Sequence, residues 1–502
     1  MDPVTQTSVI WRNEMRFESF VGPAYQLRNI QAACQKCVNW FVEIIEVKPG
    51  KNGSVMQLVP TPGMLYTNQS LSGLPRGGYV ASNGTTYYIS GTTLYKLTVG
   101  ATVGDVTATS IFTTLPTGTS LVEYTDNGVY LFMLVNNTAY KMDFATETVT
   151  LVTGGIANDF TSMTYMDTYI VFSITDTNQF CWTDPLGVTV PALNFASAEA
   201  NSDQIVGLIN HNQDLWVFGK KTTELWYNAG QGNSVFVQRD GVLIETGCVS
   251  AKTIKKIGNT LAWISIDDRG GPMFMTANGY QPQRMSTHPI EQMWQSSTYV
   301  DWSTAEAEVF QEGGHQFYAL RMPGQDSVWV FDLTATQMLG VPCWHERKSM
   351  LSSGVLEEWL AKGIVFVNGQ FVTGNRSNSK LFVLDKDTTG DDGANIIRER
   401  VTPHVGNEMK QVFYDRLQMD FMTGDTTNLY LDPQVMLQYS DDGGRTWSDE
   451  WWATSGMTGH YRTLVEWRRL GASRDRVFKI QCADGQYWAV SGASMDIRTG
   501  NH

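Results

Sequence analysis

Hydrophobic and polar residues alternate in short runs along most of the chain, and polar turn residues separate these runs. From residue 77 to residue 387 one unit recurs, in which a turn precedes an alternating apolar run and a second turn precedes an aromatic-rich run. Alternation with a period of two predicts half-buried β-strands. The first turns are spaced 39 to 55 residues apart, at residues 83–84, 127–128, 166–167, 212–213, 258–259, 313–314 and 368–369.

Three or four strands in each unit of this length are typical of the blades of a β-propeller. One small antiparallel sheet cannot bury both of its faces, whereas sheets stacked around an axis cover one another. The fold class predicted is therefore all-β, with about seven blades, and six to eight blades fit the pattern. A run of ordinary β-meanders forming two sandwiches is the alternative.

The two ends of the chain lie outside this repeat. We predict an N-terminal arm at residues 1–60, a β-propeller at 61–387 and a C-terminal β-domain at 388–502. Alternating runs at 411–421, 435–439, 461–467, 476–481 and 487–490 predict an antiparallel β-sandwich, which the strand-like run at 37–47 could complete. The polar stretch 387–394 is the predicted linker, and residues 355–361 could form two turns of helix.

One hairpin stands out in the C-terminal domain, where residues 440–447 read SDDGGRTW. The pattern S-x-D-x-G-x-T-W resembles the Asp-box, a hairpin found in sialidases and in many other β-proteins. Its defined positions are filled by Ser440, Asp442, Gly444, Thr446 and Trp447. Asp442 can bond backbone N–H groups in the turn, and Thr446 and Trp447 are predicted to begin the return strand.

Charge limits the partners of the chain. Its 502 residues have a formal net charge of −14, so a general basic surface that grips nucleic acid is not expected. Such a surface is compatible with DNA that passes without sticking. We expect no signal peptide and no membrane span, because no apolar stretch of the required length is present.

Residues capable of chemistry are scattered. Cys34 and Cys37 form a lone C-x-x-C pair without the second pair of a zinc ribbon, and the seven histidines form no metal-binding motif. Adjacent carboxylates such as Asp441 and Asp442 lie in turn-like segments, whereas glycosidase carboxylates face each other across a cleft. We therefore predict no enzyme, no catalytic or metal site and no cofactor.

A basic and aromatic segment follows the hairpin, at residues 461–477. Arginine and tryptophan are enriched in protein interfaces, so this segment is a candidate contact surface. A solvated pair of strands with ion pairs explains the same residues equally well. The candidate interface residues are Arg462, Trp467, Arg468, Arg469, Arg474 and Arg476.

A series of short motifs in a fixed order resembles one protein family over nearly the whole chain. The motifs are GPAY at 22–25, CVNWFVE at 37–43, PGM at 62–64, RGG at 76–78, NQF at 178–180, DQIVGL at 203–208, LWVFG at 215–219, TELWY at 223–227, IETGC at 244–248, GYQPQRMSTHPIE at 279–291, YSDDGGRTW at 439–447, HYRT at 460–463 and WRRLG at 467–471. The chain resembles the packaged-DNA stabilisation proteins of short-tailed phages, also called tail nozzle or head-closure proteins.

This resemblance implies a structural protein of the virion tail, assembled in the host cytoplasm, with a β-propeller and an extra β-domain. Family members form a ring, commonly of six copies, below the portal and adaptor. They retain packaged DNA, hold other tail proteins and form the channel through which double-stranded DNA leaves. The alternatives are a carbohydrate-binding or sialidase-like propeller of a tail appendage and a cellular propeller that serves as a protein-interaction platform.

Overall fold

The structure is a computed structural model of the whole chain. It describes residues 13–45, 56–199, 201, 203–231, 234–266, 270–296, 301–351, 354–408, 410–424 and 432–500. Within these ranges the chain is built almost entirely of antiparallel strands. The helical elements there are two α-helices, His288–Gln295 and Leu333–Leu339, and three 3-10 turns, Glu18–Phe20, Ala251–Thr253 and Trp302–Thr304.

Five separate four-stranded sheets follow one another along the chain, and we number them meanders 1 to 5. Meander 1 contains Pro75–Val80, Thr86–Ser90, Thr93–Val99 and Val106–Phe112, and meander 2 contains Glu123–Asp126, Tyr130–Val135, Thr138–Asp143 and Val149–Leu151. Meander 3 contains Phe160–Met166, Tyr169–Ile174, Gln179–Trp182 and Phe195–Ser197, beside a small parallel pair of Thr153–Gly154 and Thr189–Val190. Meander 4 contains Ile205–His211, Asp214–Gly219, Thr223–Gln231 and Ser234–Ile244, and meander 5 contains Lys255–Ile257, Thr260–Ile266, Pro272–Asn278 and Gln281–Arg284.

Two further meanders belong to larger sheets. Meander 6 contains Glu306–Glu312, His315–Arg321, Val328–Asp332 and Cys343–Met350, with Leu356–Glu358 paired to its last strand. Meander 7 contains Ala361–Val367, Gln370–Asn375 and Lys380–Asp385, and its fourth strand is Gly63–Ser70 from the beginning of the chain. The short strands Gly390–Asp391 and Ala394–Asn395 extend that sheet.

The first strand of each meander lies innermost, and the meanders close into a ring. Ala361–Val367 of meander 7 contacts Pro75–Val80 of meander 1, and Gly63–Ser70 joins the two ends of the repeat by pairing with Lys380–Asp385. These sheets form the predicted β-propeller. Counting each meander as a blade gives seven, and the number of blades stays a prediction.

Burial on both faces explains why the second strands of the meanders are so apolar. In Tyr130–Val135, Leu131, Met133 and Val135 pack into a core shared with meander 1, whereas Phe132 and Leu134 pack into a core shared with meander 3. Alternate side chains of a strand point to opposite faces, so each blade contributes to two cores. At about 25 cal/mol per Å² of apolar surface, this repeated burial is the main stabilisation of the ring.

The C-terminal domain is a β-sandwich that also takes in strands from the beginning of the chain. One sheet contains Asn13–Arg16, Trp40–Ile44, Met56–Pro60, Val490–Thr499, Val412–Phe421, Val465–Arg468 and Ala472–Ser473. The other continues the sheet of meander 6 outward through Cys34–Val38, Arg398–Val401, Asp475–Cys482, Gln434–Ser440 and Trp451–Thr454, with Tyr25–Gln26 and Val405–Gly406 attached. Trp40 and Trp488 lie in a core that also contains Trp329 and Trp344 of meander 6, so propeller and sandwich share one hydrophobic cluster.

Several local expectations differ from the structure. Residues 355–361 are not helical, because Leu356–Glu358 pairs with residues 348–350. The return strand of the hairpin begins at Trp451 rather than at Thr446, and residues 461–467 yield a strand that begins at Val465. Turns centred on Gly456 and Gly459, which have φ of +86° and +88°, occupy the preceding residues. The boundaries 1–60, 61–387 and 388–502 stay predictions.

Candidate interaction surfaces

Two side chains hold the turn between Ser440 and Thr446. Ser440 Oγ donates to Asp442 Oδ1 at 2.6 Å and accepts from the N–H of Gly444 at 2.7 Å. Asp442 Oδ1 accepts from the N–H groups of Arg445 (2.9 Å) and Thr446 (3.0 Å), and its Oδ2 accepts from the Thr446 hydroxyl (2.7 Å). The hydroxyls of Ser440 and Thr446, followed by the backbone donors, hold the pKa of Asp442 well below its usual value.

Trp447 attaches this hairpin to the rest of the sandwich. Gly443 and Gly444 have φ of +77° and +97°, a left-handed conformation that glycine adopts without strain. A Cβ on Gly444 would lie 3.4 Å from the Trp447 ring. The ring packs beside Cys34, Val401 and Val477, and the ammonium of Lys479 lies 4.4 Å from its centre. The hairpin residues therefore serve the turn and its packing.

Asp441 forms an ion pair, whereas its neighbour Asp442 holds the turn. Both of its carboxylate oxygens accept from Arg476, at 2.6 and 2.7 Å. The guanidinium carbon of Arg476 lies 3.9 Å from the ring centre of Tyr439 and 4.7 Å from that of Tyr414. This arrangement fixes the base of the hairpin to the strand Asp475–Cys482.

The six candidate interface residues divide into two groups. Arg462, Arg468, Arg469 and Arg474 are exposed, whereas Trp467 and Arg476 are buried in the sandwich. Trp467 donates from its indole nitrogen to the carbonyl of Trp451 at 3.0 Å. Of the six, the four arginines are therefore accessible from solvent, and the two buried residues act within the domain.

Sequence reasoning missed a network of charged side chains at the axis of the propeller. Glu306, at the start of the inner strand of meander 6, accepts from the N–H of Leu121 at 2.7 Å. Leu121 leads into the inner strand of meander 2, across the ring. Lys362 of meander 7 binds the other Glu306 oxygen at 2.6 Å. Burial would raise the pKa of Glu306, but Lys362 and the hydrogen bonds lower it overall. These contacts thus cross the centre of the ring at this level.

Two other carboxylates join neighbouring blades in the same way. Glu123 of meander 2 accepts from the N–H of Met163 in meander 3 at 3.0 Å. Glu308 of meander 6 accepts from Ile364 N–H in meander 7 at 2.6 Å and from Arg321 at 2.7 Å. Each carboxylate satisfies a backbone donor of the next blade, which a buried donor requires. One feature of the sequence could have indicated these contacts. Acidic residues stand at the beginnings of inner strands, where no polar turn accounts for them.

The described residues contain neither a cluster of metal ligands nor a membrane-spanning helix. Among the residues that the structure describes, no three histidine, cysteine or acidic side chains are grouped to hold a metal ion. Cys34 lies 3.6 Å from His404 Nε2, and burial raises the pKa values of Cys34 and Cys37 to about 11. None of the described helices has the length and apolar character needed to cross a bilayer.

Comparison with protein families gives a match over most of the chain. The family model for the β-propeller of bacteriophage P22 Gp10 matches residues 38–389, and that for the β-sandwich of the same protein matches residues 397–498. No curated protein matches the chain.

Comparison with solved structures gives matches of low similarity. The extracellular domain of a putative hybrid two-component system from B. thetaiotaomicron matches with a TM-score of 0.40 and 9% identity, covering 69% of this chain and 39% of its own. The extracellular domain of a putative one-component system from the same organism gives 0.41 and 8%, covering 78% and 47%. The mitotic checkpoint complex gives 0.35 and 8%, covering 68% and 98%. The chain thus spans less than half of the first two proteins.

Proposed function

Because the chain belongs to the family of bacteriophage P22 Gp10, a phage structural protein that stabilises packaged DNA, we propose that it forms a ring in the phage tail. The ring lies below the portal and adaptor, contains several copies of the chain, six by analogy with the family, and binds other tail proteins. It retains the packaged genome and surrounds the channel through which double-stranded DNA leaves. Assembly takes place in the host cytoplasm.

Contacts that cross the axis of the propeller support a DNA channel that lies between copies of the chain. Glu306 of meander 6 bonds directly to Leu121 beside meander 2, and Lys362 of meander 7 joins the same carboxylate. A DNA duplex cannot pass through an axis that these groups occupy. A channel for DNA must therefore be enclosed by several chains, each contributing part of the wall.

The charge of the chain suits such a channel. With 50 acidic and 36 basic residues, the protein has few cations with which to neutralise a continuous run of phosphates. Since release of counterions by lysine and arginine drives non-specific DNA binding, a wall of this composition lets DNA slide. The exposed residues Arg462, Arg468, Arg469 and Arg474 are then available for protein partners.

Particles assembled without this chain test the proposal. They are expected to package DNA and then lose it, which is measured as the ratio of DNA to capsid protein in purified particles. Wild-type chain supplied in trans should restore the ratio, and an antibody to the chain should label the tail next to the head. Full DNA retention without the chain, label at a fibre tip, or turnover of a fluorogenic sialoside by the purified chain would each contradict the proposed function.

A further inference from the structure

A cavity of about 640 Å³ lies between meanders 5 and 6 of the propeller. Residues from 258–260 and 276–285 of meander 5 form one wall, and Gln316 with residues from 333–342 of meander 6 forms the other. Small-molecule sites in proteins usually have volumes of roughly 300–1,000 Å³. The space between these two blades therefore has the size of a ligand site.

Alternation along a strand of meander 5 turns polar side chains toward this cavity. Phe274, Thr276 and Asn278 share one face of the strand. On that face Phe274 packs against Phe331 of meander 6, with ring centres 5.0 Å apart. Beyond Phe274 the face carries Thr276 and Asn278, and Gln283 is the cross-strand partner of Thr276. The apolar contact between the two blades therefore opens into a polar cavity.

Uncharged hydrogen-bonding groups dominate the lining of the cavity. None of the described residues that line it is acidic, basic or a histidine, although charged residues make up 17% of the chain. A carboxamide or a hydroxyl group both donates and accepts hydrogen bonds. The cavity thus offers donors and acceptors together and no charge for a ligand to neutralise. The lining contains four threonines and the five carboxamides of Asn259, Asn278, Gln283, Gln316 and Gln337.

Contacts within the protein leave these groups available. None of the five carboxamides forms a side-chain hydrogen bond with another described residue. Thr276 is only 4% exposed, and its hydroxyl likewise has no partner among the described residues. Since buried polar groups are nearly always hydrogen-bonded, this hydroxyl is placed to bond a group inside the cavity. A Cβ on Gly258 would lie 2.6 Å from Gln316 Oε1, so the glycine leaves room for that carboxamide.

We propose that this cavity binds an uncharged saccharide chain. Sugar hydroxyls both donate and accept hydrogen bonds, as the amides and hydroxyls of the lining do. The aliphatic side chains of Met285, Leu333 and Val341 line the same cavity and can cover the C–H faces of a sugar ring. A phosphate or a carboxylate would lose its hydration without meeting a cation, so the lining disfavours an anionic ligand.

The lining favours binding without cleavage. Glycoside hydrolysis needs two carboxyl groups beside the scissile bond, and no aspartate or glutamate is among the described residues of this lining. The inference goes beyond the ring proposed above and does not depend on it, because both walls of the cavity belong to one chain.

A glycan array tests the proposal on the full-length chain. The array carries immobilised neutral oligosaccharides beside sialylated and uronic-acid oligosaccharides, and the same compounds are titrated free in solution by calorimetry. We expect a neutral oligosaccharide to bind and to be recovered uncleaved. Binding of both forms identifies a surface polysaccharide as the ligand, and binding of the free form alone identifies a small soluble saccharide. Binding of no neutral oligosaccharide, or of charged ones only, overturns the proposal.

Two variants test whether the binding takes place in this cavity. Gln316→Ala removes one carboxamide, and Thr276→Val removes the buried hydroxyl while keeping the shape of the side chain. Each should weaken binding about fivefold or more, which corresponds to about one hydrogen bond. Both variants should keep the unfolding midpoint of wild type, because neither group bonds another described residue. Gln57→Ala is the matched control, since Gln57 is also a half-buried glutamine but lies in the sandwich.

The variants also distinguish a saccharide from other occupants of the cavity. Saccharide binding that Gln316→Ala and Thr276→Val leave unchanged would show that the site lies elsewhere on the chain, and it overturns the proposal. Uncharged peptides screened against the same variants give the opposite control. Peptides that bind wild type and are lost in both variants, while no neutral oligosaccharide binds, would show that the cavity accepts a polypeptide instead.

Discussion

Arg476 and Asp441 form a bidentate ion pair in which both carboxylate oxygens accept from the guanidinium, at 2.6 and 2.7 Å. Arg476 is 2% exposed and Asp441 is 43% exposed, so the pair lies at the boundary between the core and the solvent. Two N–H donors of the planar guanidinium match the two oxygens of a carboxylate, whereas the ammonium of lysine cannot form this paired contact. This ion pair joins the hairpin to the central strand of its sheet.

Replacing Arg476 by alanine should therefore destabilise the chain. Loss of the pair and of the packing against Tyr439 should cost roughly 2–3 kcal/mol, less than for a fully buried pair because Asp441 is partly solvated. The midpoint of thermal or urea unfolding, followed by tryptophan fluorescence, measures the effect. Arg468→Ala is the matched control, since Arg468 is 66% exposed and its pair with Glu466 should contribute at most about 1 kcal/mol. Equal midpoints for the two variants would contradict this role.

Asp442 should make the stability of the chain sensitive to acid. The pKa of this carboxyl lies below its ordinary value of 3.8 in the folded state. Its contribution is therefore present above pH 3.8 and is lost as the pH falls toward the folded pKa. Asp442→Asn should lower the unfolding midpoint at neutral pH, and the difference from wild type should shrink below pH 4. Two midpoint curves that stay parallel from pH 7 to pH 2 would argue against this linkage.

Local patterns in the sequence were sufficient for the features that local chemistry determines. The apolar run Val129–Met133 predicted a strand, which the structure places at Tyr130–Val135, and S-x-D-x-G predicted the hydrogen bonds of Asp442. Contacts between distant segments had no such signal. The pairing of Gly63–Ser70 with Lys380–Asp385 and the bond from Leu121 to Glu306 depend on ring closure, which joins residues that no short pattern relates.

Sequence patterns were equally unable to predict which side chains of the arginine-rich segment are buried. Alternation assigns neighbouring side chains of a strand to two faces, but it does not tell which face a second sheet covers. Trp467 and Arg476 point into the sandwich, whereas Arg468 and Arg474 point outward. The positions of the sheets, which the sequence pattern does not give, divide the candidate interface residues into exposed and buried ones.

Glu306 should be important for the stability of the propeller. In Glu306→Ala, Lys362 loses its buried partner and the N–H of Leu121 loses its acceptor, at a cost of about 3 kcal/mol. Glu147→Ala is the matched control, because the Glu147–Lys96 pair has the same 2.6 Å separation but lies about 40% exposed. That variant should lose at most about 1 kcal/mol. The midpoints of urea unfolding compare the two variants. A Glu306 variant as stable as the Glu147 variant would refute the stabilising role of the charged side chains at the propeller axis.

His315 should make the stability of the chain fall as the pH rises above neutrality. Its Nδ1 lies 2.7 Å from Asp332 and its Nε2 lies 3.1 Å from Glu43, which comes from the N-terminal strand Trp40–Ile44. Burial would lower the pKa of His315, but the two carboxylates raise it above 6.5. Because the pKa of His315 is higher in the folded chain than in the unfolded chain, protonation of His315 stabilises the fold. This contribution is complete below pH 6.5 and is lost as the pH rises through the pKa of the folded state.

His315→Gln tests this effect beside two neighbouring groups that also titrate. Glu312, whose pKa is raised to about 7 mainly by burial, and His345, whose pKa burial lowers, titrate in both chains. The difference in unfolding midpoint between wild type and variant therefore reports the protonation of His315 together with its electrostatic effect on these two groups. We expect it to be largest below pH 6.5 and to decrease as the pH is raised to 9, and a difference that grows over this range would show that the neutral imidazole is the stabilising form. For Glu312→Gln, the difference in unfolding midpoint from wild type should instead change between pH 4.5 and 7. In this range the carboxyl of wild-type Glu312 is protonated in the folded chain and ionised in the unfolded chain.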